Sequence, residues 1–441
     1  MTKPVYERIV DLFEAEGIDT LFGIPDPGFI HMVMLARDRG WNVIAPHHEQ
    51  GGAFMADAWS RMTGKPGLCF GTAGPGVANL AAAMIVAAKE NSPTIFMGAN
   101  RMRSAEERVK RGRIQYISQP KLMAPAMKYV GVLEYAEQTD DIFHHALRKA
   151  QSGTPGPVYI EIPMHVIETE MNWPPILKPS DYRLDHQQAA TDMVEKAAAY
   201  IRAAKQPMIL MGQGVFTARA QSEVAKLARL VNCPIVRTTG TDAYLPGLED
   251  RVFPYGFTPI GREAVVESDL CIAIGTEIGE PIHNGLGRHW AKKNDIRKWI
   301  YIERDPEAIG INRPIDAPLV GDLRDVVPQL TASLGGVQRE MTAECKGWIR
   351  AHAEYKRDLV VNAPKAKNGI HTARMVIEAT KNLPPTRSWF AMAAQSVSLA
   401  GPTRRIRRTT WFGTKTSAIS APACHMLLAL RWRSALNAAW C

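Results

Sequence analysis

Hydrophobic positions in the first 170 residues switch between two periods. Val5, Ile9, Leu12 and Phe13 recur at helical spacing, which predicts an amphipathic helix within residues 1–17. Short β-rich runs then stand at 42–45, 68–70, 94–98 and 157–162, with helical patterns at 50–62, 77–89 and 140–150 between them. Strand, helix and strand in succession predict parallel pairing and a doubly wound α/β sheet. Residues 171–189 are polar, aperiodic and proline-bearing, and read as a linker. A second α/β segment spans 190–335, its apolar runs at 207–211, 234–236, 270–275 and 298–302. Residues 336–368 are charged and helical in flavour and read as a second linker. One more helix is expected over 370–383, with Ala373, Val376, Ile377 and Thr380 on one side. The fold class is therefore α/β, with doubly wound parallel-sheet domains in tandem and an incomplete third.

Composition changes that picture only at the end of the chain. The chain has 441 residues, 46% hydrophobic and 22% charged, which is globular and suggests about three domains. Residues 384–441 hold eight Lys or Arg and no Asp or Glu, whereas the other 383 residues hold 45 basic and 44 acidic. Nearly all of the net charge of +9 thus lies in the last 58 residues. An altered end that replaces most of a third domain accounts for this better than a nucleic-acid-binding tail, because RRIRR (Arg404, Arg405, Arg407, Arg408) near Trp389 and Trp411 is a weak signal. No membrane span is expected: the longest mostly apolar run, 80–88, is about half of what a bilayer requires. Glu7, Asp11, Glu14 and Glu16 argue against a signal peptide. Six cysteines without a CxxC or a regular framework make a reducing, cytoplasmic compartment the default.

Two motifs could carry chemistry. His47-His48-Glu49-Gln50-Gly51-Gly52 follows a strand and opens a helix. Alone, it reads as a helix-capping glutamate beside surface histidines, and it is not the HExxH of a zinc protease. Gly71-Thr72-Ala73-Gly74-Pro75-Gly76, followed by Asn79, is another strand-to-helix junction, open to close approach of a ligand. It lacks Gly-Lys-Ser/Thr and GxGxxG spacing, so alone it does not define a phosphate cradle.

Taken together, residues 47–99 resemble the pyrimidine-binding domain of thiamine-diphosphate enzymes of the acetolactate synthase and 2-oxoacid decarboxylase group. Phe22-Gly23-Ile24-Pro25, Gln115 thirteen residues before Lys128, Gly156-Pro157-Val158 and Ile162-Pro163 agree with it. So do Pro207 to Gly214, Ser268-Asp269-Leu270 and Asp305-Pro306 with Ile309-Gly310 in the middle segment. The likeness covers roughly residues 1–383.

The resemblance implies a pyrimidine-binding domain over 1–170, a middle domain over 190–335 and the start of a diphosphate-binding domain over 369–383. It implies that Glu49 hydrogen-bonds a nitrogen of the aminopyrimidine and promotes the tautomer that deprotonates the thiazolium carbon. Pro25, Thr72, Pro75 and Asn79 would line the pyrimidine, and Gln115 would face a 2-oxoacid substrate. His48 could be a packed, hydrogen-bonded histidine as readily as a catalytic one. The family's Mg²⁺ is expected, but its Gly-Asp-Gly motif is missing, and Gly321-Asp322 is followed by Leu323 in the wrong segment. FAD in the middle domain is disfavoured, because Glu277 would repel a pyrophosphate. Asp26, where the family usually has glycine, adds a carboxylate near the substrate mouth. A homodimer or homotetramer is implied, or a partner chain that supplies a diphosphate-binding domain. The reaction implied is decarboxylation or carboligation of a 2-oxoacid, weak in this chain alone. The competing reading is a catalytically silent homologue acting as a regulatory or assembly partner.

Overall fold

The computed structural model describes residues 2–362 apart from 107–114, 185, 242 and 257, together with Arg374, Glu378 and the dipeptides Trp389–Phe390 and Trp411–Phe412. The rest of the helix expected over 370–383 and of the basic segment 384–441, including its RRIRR, lies outside the described residues. Among the described residues, those up to 184 and those from 186 to 412 form two compact units.

In the first unit the strands are β1 (Lys3–Pro4), β2 (Thr20–Gly23), β3 (Asn42–Ile44), β4 (Leu68–Gly71), β5 (Ile95–Asn100), β6 (Tyr129–Val132), β7 (Val158–Pro163) and β8 (Glu170–Met171). Six of them form one sheet in the order β3-β2-β4-β5-β7-β6, all parallel, while β1 pairs antiparallel with β8. The chain passes from β2 outward to β3 and returns to β4 on the other side. The strand order therefore reverses between β2 and β4, and a crevice opens there beyond their carboxyl ends. β4, β5 and β7 are buried along their whole length, as parallel strands covered on both faces must be.

Helix α1 (Val5–Ala15) buries Val5, Ile9, Leu12 and Phe13, the spacing seen in the sequence. It ends at Gly17 (φ +68°), where Gly17 N–H donates to Glu14 O and Ile18 N–H to Phe13 O, a left-handed stop suited to glycine. Three more helices matter below: α2 (Ile30–Asp38), α3 (Glu49–Thr63) and α4 (Pro75–Lys89). Between α3 and α4 lies a fully enclosed charge group. Arg61 stands 3.6 Å from Asp57 and 3.5 Å from Glu90, and burial pushes the Asp57 carboxyl up.

In the second unit, β9 (Pro207–Met211), β10 (Ile235–Arg237), β11 (Val252–Pro254), β12 (Leu270–Ile274), β13 (Lys298–Glu303) and β14 (Ala317–Val320) form a parallel sheet in the order β11-β10-β9-β12-β13-β14. The four inner strands match the expected apolar runs. The two edge strands were not anticipated: each is short and contains a proline, Pro254 and Pro318, as edges tolerate and interiors do not.

Both expected linkers carry structure. Residues 170–183 lie along the first unit. Trp173 Nε1 donates to Lys3 O at 2.8 Å, and Tyr182 and Arg183 both bond the Glu16 carboxylate. Residues 336–368 contain the helix Ala343–Val361, which buries Cys345, Trp348 and His352 against the second core. Trp348 Nε1 donates to Glu263 Oε2 at 3.1 Å, and the His352 ring meets Phe253 edge-on at 5.0 Å. The helix agrees with the helical flavour of 336–368, whereas in 171–189 aromatic anchors spaced through polar sequence give no clean periodicity, so that segment read as loose from composition.

Burial, with Lys356 and Arg237 nearby, pulls His352 down to about 4. A depressed imidazole contributes stability that is present above its unfolded value of 6.5 and is lost as pH falls toward 4. Chemical unfolding of the second unit is expected to lose roughly 3 kcal/mol across that window. His352→Phe is expected to flatten the slope, and a slope unchanged in that variant would refute the assignment.

Candidate active site

The sheet delivers three loops to the reversal between β2 and β4. The loop after β3 ends at Glu49, the first residue of α3. Its N-cap is His48, whose Nδ1 accepts from Gln50 N–H at 3.2 Å. The capping role read for Glu49 is therefore corrected: an exposed imidazole caps the helix, and the glutamate is released for another partner. That partner is Asn79 on the first turns of α4, whose Nδ2 donates to Glu49 Oε2 at 3.0 Å. His48 is neither packed nor, among the described residues, bonded to anything beyond its own helix.

The loop after β4 runs through Thr72 to Gly74 (φ +71°, ψ −105°), with Pro75 opening α4. Proline at the first helical position gives up a donor that the helix leaves unpaired there. Gly76 faces the carboxylate. A Cβ at that position would lie 2.5 Å from Thr72 Cγ2 and 3.2 Å from Glu49 Oε1. One carboxylate oxygen is thus fixed by Asn79, and the other packs close to Gly76, where a side chain would strike the Thr72 methyl. Cys69, at the floor, is fully buried, and burial followed by the Glu49 charge pushes its thiol up.

Of the residues singled out in the sequence, Glu49, Thr72 and Asn79 come together around Gly76, and Pro75 lies exposed on the same turn. Gln115 is exposed, left-handed (φ +62°) and packs its carbonyl against Gly74. Pro25 is exposed on the loop after β2, and no described contact joins it to Glu49. On that loop the Asp26 carboxylate accepts Gly28 N–H at 2.7 Å, so the added carboxylate closes a turn.

Sequence reading overlooked Gln119, which is almost fully buried. Its Oε1 accepts Gly74 N–H at 2.7 Å, and its Nε2 reaches Glu161 Oε2 (2.8 Å), Ala99 O (3.1 Å) and Tyr159 OH (3.3 Å). Only the burial of Gln119 and Glu161 reveals this group, since a polar residue before Pro120 gives no periodic signal.

The other candidate sites are occupied by protein. Gly212 and Gly214 close onto the Gly275 turn, with Gly214 N–H donating to Gly275 O at 2.8 Å, and a Cβ on either would strike that backbone. Asp322 caps its own helix by accepting Arg324 N–H and pairs with the Arg324 guanidinium. Among the described residues no group of three or more His, Cys, Asp or Glu is placed to hold a metal ion. No described helix is long and apolar enough to cross a membrane.

Comparison with known proteins agrees with this architecture. The thiamine pyrophosphate enzyme N-terminal TPP binding domain matches residues 4–122, and the thiamine pyrophosphate enzyme central domain matches residues 194–330. The chain belongs to the thiamine pyrophosphate enzyme family. It is 30% identical over 337 residues to the "Probable acetolactate synthase large subunit" of Methanocaldococcus jannaschii, covering 74% of this chain and 56% of that protein. It is 27% identical over 387 residues to the acetolactate synthase large subunit of Parasynechococcus marenigrum, covering 86% and 61%. With acetolactate synthase of Mycobacterium bovis it shares 27% over 353 residues, covering 78% and 55%. The matches thus span a little over half the length of these relatives.

The residues around Glu49 suit the cofactor of this family: the carboxylate is held by Asn79 at the start of two helices, beside the crevice where the strand order reverses. Gly76→Ala is expected to lower the unfolding free energy by about 1–3 kcal/mol, because the Thr72 methyl must move. Gly347→Ala, at an open helical position, is expected to raise it by roughly 0.5–1 kcal/mol. Urea titration of both variants checks the contrast, and equal effects would refute it.

Proposed function

We propose that this chain holds the pyrimidine half of thiamine diphosphate and takes part in acetolactate-synthase-like decarboxylation or carboligation of a 2-oxoacid. The observation that carries this reading is the Glu49 carboxylate at the start of its helix, held by Asn79 through one oxygen and lying beside Gly76 with the other. The cofactor, when bound, supplies a thiazolium electron sink. Glu49 Oε1 holds a proton at the pyrimidine nitrogen, and the wall of Thr72, Gly76 and Pro75 keeps water from competing for it. Pro25 completes the far side of the crevice, and Gln115 faces the substrate entrance.

In this reading the diphosphate and its Mg²⁺ are held by a diphosphate-binding domain, which a partner chain can supply. A homodimer or homotetramer, or an assembly with a chain that carries such a domain, fits this requirement, and the "large subunit" names of relatives are in keeping with it. A cytoplasmic location agrees with four free, buried cysteines among the described residues. The alternative is a silent homologue that serves as an assembly partner.

Calorimetric titration of the purified chain separates these readings. Thiamine is expected to bind saturably, and thiamine diphosphate no more tightly with Mg²⁺ than without it. Glu49→Gln is expected to weaken thiamine about tenfold or more, the effect of losing a charge-assisted hydrogen bond. An unchanged affinity in that variant would sink the enzymatic reading and leave the silent one.

A further inference from the structure

The loop between β4 and α4 leads directly into the helix that carries Asn79, with Val77 N–H donating to Thr72 O at 2.9 Å. Its last residue, Gly74, is in a conformation open to glycine alone, and a Cβ there would lie 2.0 Å from Gln115 O. Gly74 N–H points inward, away from the crevice, to Gln119 Oε1. The Gln119 amide group is aligned in turn by Glu161, which stands directly across the ladder from Gly98 on β5. Arg103 stands 3.5 Å from Glu161 and forms a two-pronged pair with Glu134 at 2.7 Å. The amide must present its oxygen to Gly74 because its nitrogen is claimed by Glu161 and Ala99 O. A carboxylate on β7 thereby fixes the orientation of an amide that fixes the loop.

We propose that Gln119 is a positioning residue for the pyrimidine-binding loop, holding Gly74, and through it Asn79 and Glu49, by an orientation that the Glu161 charge dictates. The functional half of this statement rests on the thiamine reading of the site. A general packing role would require only a side chain of the right volume. The proposed role requires one acceptor toward Gly74 and one complementary pairing toward residue 161.

Three variants make the distinction. Gln119→Leu keeps the volume and leaves Gly74 N–H and the Glu161 carboxylate without their partner. Gln119→Glu sets two carboxylates against each other. The double variant Gln119→Glu with Glu161→Gln restores an amide–carboxylate pair with the roles exchanged and still offers an oxygen to Gly74. Two readouts are taken on the full chain: hydrogen exchange of peptides covering 72–77, and thiamine affinity by calorimetry.

Both single variants are expected to speed exchange at Gly74 and weaken thiamine by about tenfold. The double variant is expected to recover both to within about threefold of the parent. If Gln119→Leu stays folded with exchange and affinity unchanged, or if the double variant is as impaired as Gln119→Glu, the proposal is overturned. Should Gln119→Leu fail to fold, the comparison of Gln119→Glu with the double variant decides the matter alone. A parent chain that binds no thiamine, while exchange still follows residue 119, overturns the cofactor reading and upholds the hold of Gln119 on the loop.

Discussion

A carboxylate is useful at the mouth of a crevice only if one oxygen is fixed and the other is left uncommitted. In this chain a single hydrogen bond, Asn79 Nδ2 to Glu49 Oε2 at 3.0 Å, meets that condition. The two residues stand on separate helices entering from separate strands, so the bond exists only where the sheet brings β3 and β4 to either side of β2. His48 supports it indirectly, since an imidazole cap frees the glutamate from capping duty.

The carboxyl edge of the first sheet is built around the absence of side chains. Gly71, Gly98 and Glu161 lie in one register row across β4, β5 and β7. Gly98 leaves room for the Tyr159 hydroxyl, which would lie 2.0 Å from a Cβ there. Tyr159, Glu161 and Gln119 fill that room with bonded polar atoms, and burial holds the Tyr159 phenol far above its usual range. A buried polar group of this kind is tolerable only when its members are satisfied together, which ties the row of glycines to the loop above it.

Most of the framework could be read from periodicity. The positions of α1, α3 and α4, of β3, β4, β5 and β7, and of β9, β10, β12 and β13 follow from the spacing of apolar residues, because helical and extended faces repeat differently, whereas β2 and β6 were not read from it. Elements escaped where burial is one-sided or very short: β11 and β14 at the sheet edges, and β1 with β8, two residues each. Glu49, Thr72 and Asn79 were named because their strand-to-helix junctions together resemble the family's pyrimidine-binding motifs, and the fold brings these three side by side. Gln115 was named from the same region, whereas Gln119, four residues on, acts through long-range burial that a local pattern does not register. The linkers misled for a related reason: Trp173, Tyr182 and Trp348 hold polar segments down one residue at a time.

The prolines that hid the outer strands of the second sheet have another effect. A parallel sheet left open at its margins presents rows of amides on which a foreign strand can grow. At Pro254 and Pro318 the backbone has no amide hydrogen to offer, and each sits on an outermost strand of only three or four residues. An invading strand would find a broken ladder at either margin. The second unit is therefore guarded against edge-to-edge aggregation by its own chemistry.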